Sequence, residues 1–166
     1  MVASTASWEE VHEAYSRKGL IDPNAPVQAA GEITITASPE TVWAVLTDVA
    51  GWPEIRSDIH DVTPGSVAPD SSFTWSTAGV GLVSRYGRVD PPHEVTWSTA
   101  TARLVMTHRY VLERVEDGTT SLKCQEAMTA PAAPQIGNDE LRARILSWLE
   151  GIKAVAESRP GRGSSI

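Results

Sequence analysis

The residues of this chain best suited to chemistry are His108 and Glu126, which flank an Asp117-Gly118 turn signal. An imidazole beside a carboxylate is the usual arrangement for general acid/base work. The carboxylate fixes the tautomer and favours the protonated ring, so the ring can exchange a proton near neutral pH. Whether the two side chains meet depends on strand register. A two-residue loop pairs Glu116 with Thr119 and sets His108 opposite Ala127. A three-residue loop, with Gly118 left-handed, pairs Val115 with Thr119 and sets His108 opposite Glu126. Leu104, Met106, His108, Tyr110 and Leu112 form the more apolar face of one strand; Leu122, Cys124, Glu126 and Met128 form that of its partner. Both rows face inward only with the three-residue loop, which places His108 beside Glu126 and Tyr110 beside Cys124.

The same phase turns Phe73, Trp75, Leu82, Ser84, Tyr86, Val95 and Trp97 inward, although the glycines at 79, 81 and 87 invite bulges that reset it. With Met106, Tyr110, Cys124 and Trp148 they make an aromatic wall suited to a flat or polycyclic molecule. Tyr86 or Tyr110 could donate a hydrogen bond to an enolate oxygen as charge develops. The expected catalytic residues are therefore His108, Glu126 and Tyr86. Blander readings stand beside these. The aromatic rings could be core packing, and His108–Glu126 a buried pair that satisfies itself. Cys124 is more often an inert small hydrophobe than a nucleophile in such a position.

Other chemistries lack their residues. His12, His60, His93 and His108 are too scattered for a metal motif, and there is no HExxH, Cys pair, phosphate loop or nucleophile elbow. The expectation is an activity without metal or organic cofactor. A net charge of -7, spread along the chain, argues against nucleic acid and anionic membranes as partners. The single cysteine excludes an intrachain disulfide and fits a reducing compartment. With no secretory signal at the N-terminus and no apolar run of membrane length, the expected location is cytoplasmic.

The elements that must hold these residues can be read from the pattern. Ser7 with Glu10 is a capping box, and Trp8, Val11 and Tyr15 recur at helical spacing until Gly19 stops the helix. That stripe should bury against the domain or against a second copy, so a homodimer is one expected partner. Residues 1–30 are read as this helix and a linker, 31–158 as the main domain, and 159–166 as a disordered tail. Glu32 to Ala37 alternates as a first strand. Ser38-Pro39-Glu40 opens a helix carrying Val42, Trp43, Val45, Leu46 and Val49, and Trp52-Pro53-Glu54 opens a shorter one. From Ile59 to Met128 the chain reads as an antiparallel meander of about six strands, closed by Pro131 and Pro134. A last helix over 139–158, about 30 Å long, carries Leu141, Ile145, Trp148, Leu149, Ile152 and Val155 as one apolar stripe. This is an α+β layout in which a sheet of about seven strands coils around one long helix, leaving a pocket where the helix does not fill the concavity.

The segment ITITASPETVWAVLTDVAGWPE (33–54) resembles the opening of the helix-grip superfamily, SRPBCC or START-like, that includes lipid-transfer domains and polyketide cyclase/dehydrase proteins. Ala37, Pro39, Glu40, Val42, Trp43, Asp48, Trp52 and Pro53 carry the likeness. FTWSTAG (73–79), VDPPHEVTW (89–97) and the Asp-Gly hairpin before Glu126 continue it, so that it covers about residues 31–157. The resemblance implies a helix-grip fold and a small hydrophobic ligand, with aldol-type ring closure or dehydration of a β-carbonyl compound as the enzymatic option. It supplies no universal catalytic residue. A non-catalytic carrier for a lipid-like or aromatic molecule is the second expectation. A protein-interaction module, supported by the Trp8/Tyr15 helix, is the third.

Overall fold

The computed structural model describes residues 7–129 and 136–159. Pro131, Pro134 and the tail after Arg159 lie outside the described residues. Seven strands form one antiparallel sheet in the order β1-β7-β6-β5-β4-β3-β2. They are β1 (Val27–Ile35), β2 (Ile59–Thr63), β3 (Ser72–Thr77), β4 (Val80–Asp90), β5 (Glu94–Ala100), β6 (Val105–Glu116) and β7 (Thr119–Thr129). Two short helices, α2 (Pro39–Thr47) and α3 (Trp52–Ile55), follow β1, and α4 (Asn138–Ser158) closes the fold. The helix-grip architecture expected from the sequence is therefore present.

α2 starts where the sequence marks it: Ser38 Oγ accepts from the Thr41 amide, and Pro39 fills the first turn. α4 buries Leu141, Ile145, Trp148, Leu149, Ile152 and Ala156 against the sheet; Ala156, rather than Val155, ends the buried stripe. Seating this helix needs a gap in β1. A Cβ on Gly31 would lie 3.0 Å from Ile145 and 3.1 Å from Leu146, so only glycine lets the helix pass this close without a shift.

β1 begins at Val27, not Glu32 as the alternation suggested. Gln28-Ala29-Ala30-Gly31 has weak strand propensity, but β7 offers an edge from Met128 to Thr120 that pairs with the whole segment. The hairpin between β6 and β7 also departs from both loops weighed above. Glu116 pairs with Thr119 across a two-residue turn in which Gly118 has φ 72°. A bulge at Val115 then shifts the register, so that Arg114 faces Thr120 and His108 faces Glu126.

α1 (Trp8–Ala14) is shorter than expected and runs into a 3₁₀ turn, Ser16–Lys18, before Gly19 ends it in the left-handed region. It lies on the outer, convex side of the sheet. Val11 is buried as anticipated, whereas Trp8 and Tyr15 are half-buried, and the other groups sealed against the sheet are the polar His12 and Ser16. Ser16 fits because Gly87, in the irregular stretch between Tyr86 and Val89, has no side chain; a Cβ there would overlap the Ser16 carbonyl. Gly87→Ala should therefore cost about 1–3 kcal/mol, a drop of several degrees in Tm. A thermal melt indistinguishable from the wild type would show that this contact yields freely.

Candidate functional site

Between α4 and the concave face of the sheet lies a cavity of about 730 Å³. Its wall is built by period-two alternation on five neighbouring strands, β3 to β7. Trp75 pairs with Leu82, Trp97 with His108, and Met106 with Met128, and Tyr110 stands two residues beyond His108. Glu126 joins them from β7, and Leu141 and Trp148 close the wall from α4. Of the residues anticipated from sequence, Trp75, Leu82, Trp97, Met106, His108, Tyr110, Glu126 and Trp148 thus line one space.

Five others lie outside that lining, among them Val95, which is fully buried. Phe73 and Tyr86 form a layer behind it, with ring centres 5.5 Å from Trp52 to Phe73 and 5.0 Å from Phe73 to Tyr86. Burial pushes the Tyr86 phenol well above its ordinary value, so it stays protonated and keeps its O–H to donate. Ser84 accepts from Trp75 Nε1 at 3.1 Å and shares a hydrogen bond with Thr99, which fixes the Trp75 indole in place. Cys124 is fully buried, and its thiol is pushed up by burial and by the nearby Glu126 carboxylate. A thiol held protonated is a poor nucleophile, in keeping with an inert hydrophobe.

His108 is 7% exposed, and its Nδ1 stands 3.4 Å from Glu126 Oε1 with no hydrogen bond closed between them. Neither ring nitrogen has a partner among the described residues, and Trp97 Nε1, Trp148 Nε1 and Tyr86 Oη share that condition. The Trp97 ring stacks on Tyr110 at 4.9 Å and leans on His108 at 5.6 Å. By contrast, the indoles of Trp8, Trp52 and Trp75 each donate to a protein oxygen. The polar atoms left without partners are gathered at the cavity and the layer behind it, where a bound molecule could meet them after small side-chain rotations.

The rim was not visible in the sequence reading. Arg56 grips Asp58 with two 3.0 Å hydrogen bonds and reaches Thr77 at 3.1 Å, while Thr77 donates to Asp58 at 2.9 Å. Arg56 and then Thr77 hold the Asp58 carboxyl down to about 2. Arg144 pairs with Glu140 on the helix side. The Arg-Ser-Asp spacing just after α3 was the one available signal, and a loop so short gives no periodicity to read it by.

A curved antiparallel sheet gripping one long helix around an apolar cavity defines a helix-grip ligand-binding protein. Residues 26–157 match the family described as polyketide cyclase/dehydrase and lipid transport, and the chain belongs to that family. No curated protein matches it in sequence. Among solved structures, a hypothetical protein from Helicobacter pylori superposes with TM-score 0.69 at 12% identity, covering 94% of this chain and 98% of its own. The Zhui aromatase/cyclase from a Streptomyces species gives 0.65 at 19% identity, over 82% and 97%. The Aha1 dimer from Colwellia psychrerythraea gives 0.62 at 20% identity, over 79% and 96%. These likenesses establish the fold. No helix among the described residues is long and apolar enough to cross a membrane.

Proposed function

We propose that the cavity binds a small aromatic or polyketide-like molecule and that His108 moves a proton in its cofactor-free cyclisation or dehydration. The observation that supports this most directly is a titratable ring on the cavity wall, next to a carboxylate, with neither nitrogen hydrogen-bonded among the described residues. Neutral His108 would take a proton from the carbon next to a ligand carbonyl, and Glu126 would face the imidazolium so formed. The enolate carbon attacks a second carbonyl, a carbon–carbon bond forms, and the proton passes to the new alkoxide. In dehydration the imidazolium gives its proton to the departing hydroxide, and water leaves. The indole N–H groups of Trp97 and Trp148 could donate to the oxygen that gathers charge.

Proton abstraction can be tested without the true substrate. 2-Acetylnaphthalene in D₂O should exchange its methyl protons faster with the protein than without it, followed by proton NMR. Binding without faster exchange would favour the carrier function, which the family's description also includes.

A further inference from the structure

The back of the sheet holds a second histidine, which the cavity chemistry does not use. Trp8 Nε1 donates to Ser98 Oγ at 2.8 Å, Ser98 Oγ lies 2.7 Å from His12 Nδ1, and His12 Nε2 lies 3.0 Å from Asp70 Oδ1. Arg17 donates to the same carboxylate through Nε at 3.0 Å and Nη2 at 2.7 Å. Arg17, then His12, hold the Asp70 carboxyl down to about 2, so it only accepts hydrogen bonds. His12 must therefore carry its proton on Nε2. An indole only donates, so the Ser98 hydroxyl passes its own hydrogen to His12 Nδ1. The result is one directed chain from Trp8 through Ser98 and His12 to Asp70, complete only while the ring is neutral. Serine, histidine and aspartate in sequence are the parts of a hydrolytic triad, but Ser98 and His12 are fully buried and no substrate can reach them. The chain holds; it does not react.

We propose that the N-terminal helix is an acid-released brace, with His12 as a positioning residue that steadies β5 through Ser98. Ser98 directly follows Trp97, and Trp97 pairs with His108, so the brace stands immediately behind the cavity wall. Protonating Nδ1 would set a second donor against Ser98 and strand its hydroxyl hydrogen in a buried site. The groups around the ring favour that outcome. Asp70 faces it from the turn before β3 and Arg85 from β4. Glu9, Glu13 and Arg17 come from its own segment, and Arg109 on β6 is engaged by Glu94 and Gln125. Burial disfavours the imidazolium most; Asp70 opposes this, Arg85 and Arg17 add to it, and the ring titrates below its ordinary 6.5. The released helix then binds the proton more readily than the docked one. Docking is complete above pH 6.5 and weakens as the pH falls through it. Residues 8–18 lie outside the matched 26–157.

Hydrogen exchange across residues 8–18 of the full chain tests this, with histidine and indole NMR signals followed over the same titration. Between pH ~7.5 and ~5, protection of α1, corrected for intrinsic rates, should fall about tenfold. The Trp97 indole signal should shift with the same midpoint as the His12 ring. His12→Gln, which can accept and donate but not titrate, should keep the helix protected at both pH values. Equal wild-type protection at both pH values would overturn the proposal. So would acid release surviving in His12→Gln, or release with the Trp97 signal unmoved. Should His12→Gln fail to dock even at neutral pH, the wild-type midpoints decide: coincidence with the His12 titration supports the brace, separation overturns it. None of these readouts involves a ligand.

Discussion

His108→Gln is expected to lower turnover by about 10²–10⁴-fold while binding of a substrate analogue stays nearly unchanged. Glutamine keeps much of the size and hydrogen bonding of the ring but cannot take and return a proton. Affinity rests instead on the apolar area of Trp75, Leu82, Trp97 and Met106, which this change leaves in place. Glu126→Gln should cost less, since it removes charge and orientation from beside His108 while the base remains. A carrier would show the opposite ordering: Trp75→Ala or Trp97→Ala would lose about 3 kcal/mol of affinity, and His108→Gln would hardly register. Steady-state rates and calorimetric affinities measured on the same variants separate the two. Full turnover by His108→Gln on the true substrate would remove the catalytic assignment.

Trp52→Ala should produce the largest loss of stability, about 3–5 kcal/mol. The ring is 1% exposed and meets Phe73, Trp75, Trp97 and Trp148 at centre distances from 5.3 to 5.6 Å, mostly edge to face. Its Nε1 donates to the Leu46 carbonyl at 3.0 Å, which ties α3 to the end of α2. Truncation leaves a hole that two strands and α4 cannot collapse into, because each is pinned by its own ladder or helix bonds. A protein of this size should lose about 10 °C or more of Tm. Trp52→Phe should lose distinctly less, since it refills most of the hole but forfeits the hydrogen bond. A denaturant melt placing both variants near wild type would show that the aromatic cluster repacks.

The sequence carried the fold well because its signals were local and redundant. Ser38-Pro39-Glu40 caps α2, Asp117-Gly118 turns the last hairpin, and the apolar stripe of α4 needs only a concave sheet to bury it. Strand alternation placed His108 beside Glu126 and seven of the expected residues on one cavity wall, and the helical stripe of α4 supplied the eighth, Trp148. What it missed depended on partners distant in the chain. β1 extends back to Val27 because β7 is there to pair with it. His12 is buried because Ser98 and Asp70, far along the sequence, supply its hydrogen bonds. A histidine next to a tryptophan stripe gives no sign of either.

The bulge at Val115 has a bearing on how this hairpin can change length. Val115 is the one residue of the strand pair with no counterpart opposite it, and it stands 55% exposed at the far end from the cavity. It is slack in the thread. Were it deleted, Arg114 would join Glu116 directly, both would keep their present partners, and Asp117-Gly118 would close a plain two-residue turn of the kind that dipeptide favours. A deletion at Arg109 would instead turn either His108 or the Tyr110 and Leu112 side chains off the inner face, according to whether the bulge persists. The hairpin thus confines its freedom to vary to the tip, where a lost residue leaves the far end of the same strands in step.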